Sequence, residues 1–314
     1  KREFEEAPEV GVSAKVIRIS HVDMASDTFM ADFNVNVAWR GDKDLREKLD
    51  VQIYNVMEMQ DEDASDVKGG DAGFDFYYRI RYKGTFRQNY DLTNFPFDSQ
   101  ELTVRVRLKS ECRLIHLPWG LDGTACSCDP GALDDEFDLK RADVRNSYWP
   151  SYKFGKLGGY DPEALVIFGV DRKPDYWVTN FGAFMSFVAS FCLAAFALSC
   201  GDVGDRLGIG FTLNLTVVAT FYLMQDKLPS VSYWTLLEKH MVICIAFTMI
   251  VMVINILPAI LGENVMAKLE VVIFWVLVAL WLGYHVWVKQ RTEALVKVRQ
   301  QSPNRKLATM VKLA

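Results

Sequence analysis

Apolar and polar positions follow two rhythms along this chain, and the change falls near residue 174. Before it, apolar and polar residues alternate with a period of two, the pattern of strands with one covered face. Phe33, Val35, Val37 and Trp39 alternate with Asn34, Asn36 and Ala38. Phe76, Tyr78, Ile80 and Tyr82 alternate with Tyr77, Arg79 and Arg81. Leu102, Val104, Val106 and Leu108 alternate with Thr103, Arg105, Arg107 and Lys109, and a further strand is predicted at 164–170. Clusters of Gly, Asp and Asn separate these runs and no long helical pattern interrupts them, so residues 1–174 read as an all-β sandwich. Beyond them the alternation gives way to four long apolar runs. They predict membrane spans at about 176–200, 207–227, 236–261 and 268–288, together a four-helix bundle over 175–290, followed by a basic tail over 291–314.

The second run differs from the other three. From Leu207 to Gln225 there is no formal charge for 19 residues, with Asp205 and Arg206 at one end and Asp226 and Lys227 at the other. Steps of three and four residues place Gly208, Thr212, Leu215, Ala219, Tyr222 and Asp226 on one helical face. That face is small and polar at its start, apolar in the middle and acidic at both borders. It suits a water-filled pore with a hydrophobic constriction and acidic mouths. A helix packed inside a bundle through its small residues would carry the same pattern.

Composition narrows the function classes. The net charge of −5 gives no sign of a nucleic-acid partner. His21, His116, His240 and His285 are scattered without metal-ligand spacing, no Gly-x-Ser-x-Gly elbow occurs, and Gly208-Ile209-Gly210 sits inside a span, so an enzyme is not expected. Cys192, Cys200 and Cys244 fall in or beside spans and are expected as buried thiols; among Cys112, Cys126 and Cys128 one disulfide with an odd thiol is the expectation, with metal binding the weaker alternative. An acidic segment holds Glu58, Asp61, Glu62, Asp63, Asp66, Asp71 and Asp75 with Lys68 as its only base. Its spacing is not that of an EF-hand, and it reads as a solvated loop, or as a site where Asp61, Glu62, Asp63 and Asp66 take Ca2+ or another divalent cation as a modulator. No resident cofactor is implied. The opening Lys-Arg-Glu-Phe-Glu-Glu has no apolar signal-peptide core, so a processed start is expected.

Tyr90-Asp91-Leu92-Thr93-Asn94-Phe95-Pro96-Phe97-Asp98-Ser99-Gln100 joins two predicted strands. Aromatics on both sides of a Pro make a stiff apolar knuckle that needs an apolar surface to rest on. The segment resembles the signature loop of the pentameric ligand-gated ion channels, the Cys-loop receptor superfamily. Trp39-Arg40-Gly41-Asp42 resembles the Trp that ends the second strand of their extracellular domain. Arg172-Lys173-Pro174-Asp175-Tyr176-Trp177 resembles the junction into their first transmembrane helix, 202–229 their pore helix, and Leu228-Pro229 the start of the loop after it.

The resemblance implies a homopentamer, each chain joined by four identical subunits in membrane lipid around a pore for permeant ions, with an immunoglobulin-like β-sandwich over four helices. It implies a charge pair between Asp98 and Arg172, with Phe95, Pro96 and Phe97 resting against 228–233. Leu215 would be the central gate, Gly208 and Thr212 the inner lining, Ala219 and Tyr222 the outer lining. Asp205 matches the acidic ring of cation-selective members; anion-selective members carry a Pro-Ala sequence there. The positions of the loop-closing cysteines are Gln88 and Leu102, which resembles the prokaryotic branch and implies an inner membrane with a periplasmic N-terminal domain. The tail counters this: Lys289, Arg291, Lys297, Arg299, Arg305, Lys306 and Lys312 stand against Glu293, and the positive-inside rule would put both termini in the cytoplasm. The aromatic cage for amines is largely missing, with Lys109 and Val35 at two of its positions, which leaves Tyr148, Trp149, Tyr152 and Tyr160 as candidate ligand contacts. Protons (through His21 or His116), divalent cations and a small organic molecule all stay open as agonist. The link between the third and fourth spans, 262–268, leaves no room for an intracellular domain. The competing reading is a membrane-anchored periplasmic solute sensor without a pore.

Overall fold

The computed structural model describes residues 8–301 except 42, 70–72, 109–111, 117–125, 129–132, 134–135, 154–155 and 229–230; the side chains at 69, 116, 127–128, 149–160 and 299–301 are likewise outside the described residues. The chain divides into two compact units, one of Lys1–Tyr90 and Ser99–Arg172, the other of Asp91–Asp98 and Lys173–Ala314.

The first unit is built from strands β1 (Glu9–Asp23), β2 (Thr28–Trp39), β3 (Val51–Ile53), β4 (Val56–Ala64), β5 (Lys68–Gly69), β6 (Phe76–Arg87), β7 (Ser99–Leu108), β8 (Arg113–His116), β9 (Cys126–Cys128), β10 (Phe137–Lys153) and β11 (Lys156–Arg172). One sheet has the order β4-β6-β2-β1-β8, with β5 on β6 and β9 on β1; the other has the order β10-β11-β7-β3. Period-two patterning is read out directly in β6, where Tyr78, Ile80, Tyr82 and Phe86 are buried and Arg79, Arg81 and Lys83 are exposed. In β2 the sequence predicts a polar outer face, yet Asn34 and Asn36 are buried as well. β2 lies centrally, and Asn36 is satisfied on both sides: it donates to Ser13 Oγ at 3.3 Å and accepts from Arg79 Nε at 2.9 Å. A buried amide keeps its place when its donors and acceptors are paired.

The acidic segment is not a loop through most of its length. Val56–Ala64 is an edge strand on β6, its charged side chains exposed, with Asp61 opposite Lys83 and Asp63 opposite Arg81. Outward charges on an edge strand oppose pairing with other chains, and opposite-sign neighbours across the ladder favour this register.

The second unit holds four helices long and apolar enough to cross a membrane: Asp175–Ala197, Val203–Gln225, Leu236–Leu261 and Glu263–Val298. They mark a multi-pass membrane protein. The first span changes pitch, with a π segment at Val178–Ala183 and a tight 3-10 turn at Cys192–Ala197. A capping box starts the third: Thr235 Oγ1 accepts from Glu238 N at 3.2 Å and Glu238 Oε2 accepts from Thr235 N at 2.8 Å. Gly262, at φ 90°, ends it, and the fourth helix starts at the next residue. That helix runs on to Gln301, so the predicted basic tail is helical over its first part; no Gly or Pro breaks it between Tyr284 and Gln301, and Ala, Leu, Lys, Arg and Gln propagate helix well. The bundle is tied by polar contacts that lipid could not replace. His240 reaches Tyr284 Oη at 2.8 Å, Ser186 Oγ at 3.0 Å and the Gly182 carbonyl at 3.1 Å, and Trp281 Nε1 donates to Ser190 Oγ at 2.8 Å. Cys192, Cys200 and Cys244 are buried thiols in this unit, and Cys112 and Cys126 are buried in the other.

Candidate functional site

The second span presents two unlike faces. One packs into its own bundle through Arg206, Gly210, Val217 and Met224, all buried. Gly210 is required there: a Cβ would stand 2.5 Å from Met252 Cγ on the third span. One turn on, Thr248 Oγ1 donates to Asn214 Oδ1 at 2.8 Å. On the opposite side Asp205, Gly208, Thr212, Leu215, Ala219, Tyr222 and Asp226 are all exposed, Leu215 at 69% and Tyr222 at 61%. The six-residue face read from the sequence and Asp205 are therefore brought onto one uncovered stripe. Hydroxyls along the helix are turned inward on the backbone: Thr212 donates to the Gly208 carbonyl at 2.9 Å, Thr216 to Thr212 at 3.0 Å and Thr220 to Thr216 at 2.8 Å. This lets a polar residue sit in an apolar helix while its oxygen keeps accepting capacity.

The Phe-Pro-Phe-Asp loop groups with the helices, not with the strands that carry it. Asp91 Oδ1 accepts from Thr93 N at 3.1 Å and Thr93 Oγ1 at 2.7 Å, and Phe97 N donates to the Asn94 carbonyl at 2.8 Å, so the loop is locally braced. Phe95 is fully buried, edge-on to Trp177 with ring centroids 4.8 Å apart, and its carbonyl accepts from Leu237 N at 3.2 Å. Pro96 is also buried and Phe97 half-buried. Leu92 N donates to Tyr233 Oη at 2.9 Å. The resemblance implies that the aromatic knuckle rests against 228–233; Phe95 meets the starts of the first and third spans, and Leu92 meets Tyr233 of that segment. Leu228 is buried and Pro229 lies outside the described residues. Lys227 joins the same end of the bundle, 3.2 Å from Tyr176 Oη and 5.8 Å above the Phe181 ring.

Sequence reasoning missed the polar staple at the base of that loop. Gln88 Oε1 accepts from Thr103 N at 3.0 Å, at the position where the resemblance has a cysteine bridge. Asn55 donates to the Arg87 carbonyl at 3.0 Å and the Thr103 carbonyl at 2.7 Å, and accepts from Arg105 N at 2.9 Å. Through these bonds one amide ties β6 of the first sheet to β7 of the second. Nothing in local periodicity marks an isolated Asn as such a link.

Arg172 is wholly buried in the β unit, 3.1 Å from Glu136 and 4.4 Å above the Phe137 ring. Asp98 is buried and belongs to the helical unit. A cavity of about 470 Å³ beside Glu136 and Phe137 is also lined by Ile19, His21, Val22, Asp23 and Leu133. The Ser26 hydroxyl, helped by the Ala25 and Ser26 amides, holds the Asp23 carboxyl below its ordinary value against the opposing effect of burial. Burial pushes the Tyr90 hydroxyl up, and the Tyr78 hydroxyl up to about 12. Of the candidate ligand aromatics, Tyr148 is 44% exposed on β10; Trp149, Tyr152 and Tyr160 lie on the β10–β11 hairpin with side chains outside the described residues. Asp61, Glu62 and Asp63 alternate along β4 and Asp66 follows it, all exposed, and among the described residues no three His, Cys, Asp or Glu come together as a metal site.

No protein-family model matches the chain, and no curated protein matches it.

Proposed function

We propose that this chain is one subunit of a homopentameric, cation-selective channel, its two-sheet unit a periplasmic sandwich that senses an agonist and its second span the pore lining. The observation that carries this is the uncovered stripe of the second span. A helix that carries no charge from Leu207 to Gln225, packs through Arg206, Gly210, Val217 and Met224, and leaves Thr212, Thr216 and the flanking Asp205 and Asp226 exposed, is poorly suited to lipid on that side. Copies of the same chain arranged about an axis would turn the stripe toward water, with Leu215 rings as a dewetting gate and Asp205 rings concentrating cations. The Phe95 loop supplies the coupling: it is continuous with β6 and β7 yet packs on the starts of the first and third spans.

The experiment is a bilayer recording of the purified protein under an NaCl gradient. The expected reversal lies near the sodium potential and moves toward zero in Asp205→Ala, while Leu215→Ser passes current without agonist because a wetted gate no longer closes. Silence from parent and Leu215→Ser alike, in pentamers shown to be inserted, would favour the sensor without a pore.

A further inference from the structure

Asp205 and Arg206 are adjacent and opposite in charge, so a ring built from both would attract cations weakly. One residue along a helix is a turn of about 100°. Asp205 is exposed on the uncovered stripe, whereas Arg206 is 1% exposed, inside the bundle. Three groups, on the fourth span and at the end of the first, hold it there. Glu270 of the fourth span forms an ion pair with its guanidinium, the Leu198 carbonyl after the first span accepts from it, and the Phe196 ring lies 5.8 Å from it. Glu270 is itself only 17% exposed. A guanidinium does not shed its proton, so once buried it needs a fixed counter-charge.

We propose that Glu270 is a positioning residue for ion selectivity: it neutralises Arg206 and keeps it in the bundle, so that the Arg206 charge does not offset the exposed carboxylates of Asp202 and Asp205 at the second span's Val203 end. This rests on the cation-channel reading above. Glu270 touches no permeating ion; it acts through Arg206. Removing its charge leaves five uncompensated guanidinium groups around the acidic ring, and these raise the barrier to cations. A mere strut between the second and fourth spans would affect assembly and stability but not selectivity.

Reversal potentials and single-channel sodium conductance would be measured for the parent, Asp205→Ala, Glu270→Gln, Arg206→Gln and the double variant Arg206→Gln/Glu270→Gln. Glu270→Gln is expected to lower the cation-to-anion permeability ratio about threefold or more. Arg206→Gln should keep or raise that ratio, and the double variant should return close to the parent, because the pair carries no net charge. An Asp205→Ala shift with no shift in Glu270→Gln overturns the proposal. So does a fall in selectivity for Arg206→Gln or the double variant, which are also the deciding variants should Glu270→Gln fail to assemble. A parent without cation preference, or an inert Asp205→Ala, overturns the channel reading itself and this proposal with it, and the same recordings tell the two failures apart.

Discussion

Gln88 shows how much one side chain can stand in for. The resemblance places a disulfide at Gln88 and Leu102, where thiols are absent, and the structure closes the base of the loop with an amide instead. Gln88 Oε1 takes the Thr103 N–H while Asn55 spans Arg87, Thr103 and Arg105. A hydrogen bond of this kind contributes about 1 kcal/mol net, and more when its loss leaves a half-buried backbone group unsatisfied. Asn55→Ala is therefore expected to destabilise the β unit by roughly 1–3 kcal/mol, and Gln88→Ala by about 1 kcal/mol, in thermal unfolding followed by near-UV circular dichroism. Equal stability of both variants and parent would mean that the staple contributes nothing. At this scale Gln88 is marked in the sequence only through the resemblance, and nothing there shows that Asn55 reaches Arg87 and Thr103, because those contacts join segments about 30 and 50 residues apart.

Among elements, patterning worked where one face is covered and failed where neighbours decide. β6 alternates as predicted, since it buries one row of side chains, and β7 does so as far as Val106; Arg107, expected on the outer row, is buried 3.4 Å from Glu163. β2 does not, because a central strand can have both faces covered. β4 was expected as a loop on account of its carboxylates; at the edge of a sheet those carboxylates face solvent beside Lys83 and Arg81, so charge and strand are compatible. In the bundle the close approach of the second and third spans at Gly210 and Met252 is the most exacting contact. Gly210→Ala should cost roughly 1–3 kcal/mol by overpacking. In Gly210→Ala/Met252→Ala the added methyl enters the space Met252 leaves, so the double variant should lose less than the sum of the two single losses, with a coupling of about 0.5–3 kcal/mol in detergent unfolding. Additive losses would show that the two residues do not compete for space.

For the whole molecule the decisive fact is that Asp91–Asp98 leaves the β unit and packs with the helices. Hydrogen exchange offers a direct check, since local stability belongs to the unit that protects an amide. Tyr233→Phe removes the acceptor of the Leu92 N–H and should speed exchange there about tenfold, for a hydrogen bond near 1.4 kcal/mol, while Thr103 and Val104 in β7 keep their rates. A uniform change across β6 and β7 would instead place the loop's stability with the strands.

Sequence alone determined what depends on local order: the period-two strands, the four apolar helices, the 3.6-residue stripe from Gly208 to Asp226, and the aromatic knuckle at Phe95. These are set by burial of side chains along one element, and the pattern is visible without neighbours. Only the tertiary structure decided which surface Phe95 rests on, that Asn55 and Gln88 bond to β7, that β4 is an edge strand, and that Arg206 turns away from Asp205 to meet Glu270. Each of those depends on a partner far along the chain, and the energy of a contact is not written at either residue until the fold brings the two together.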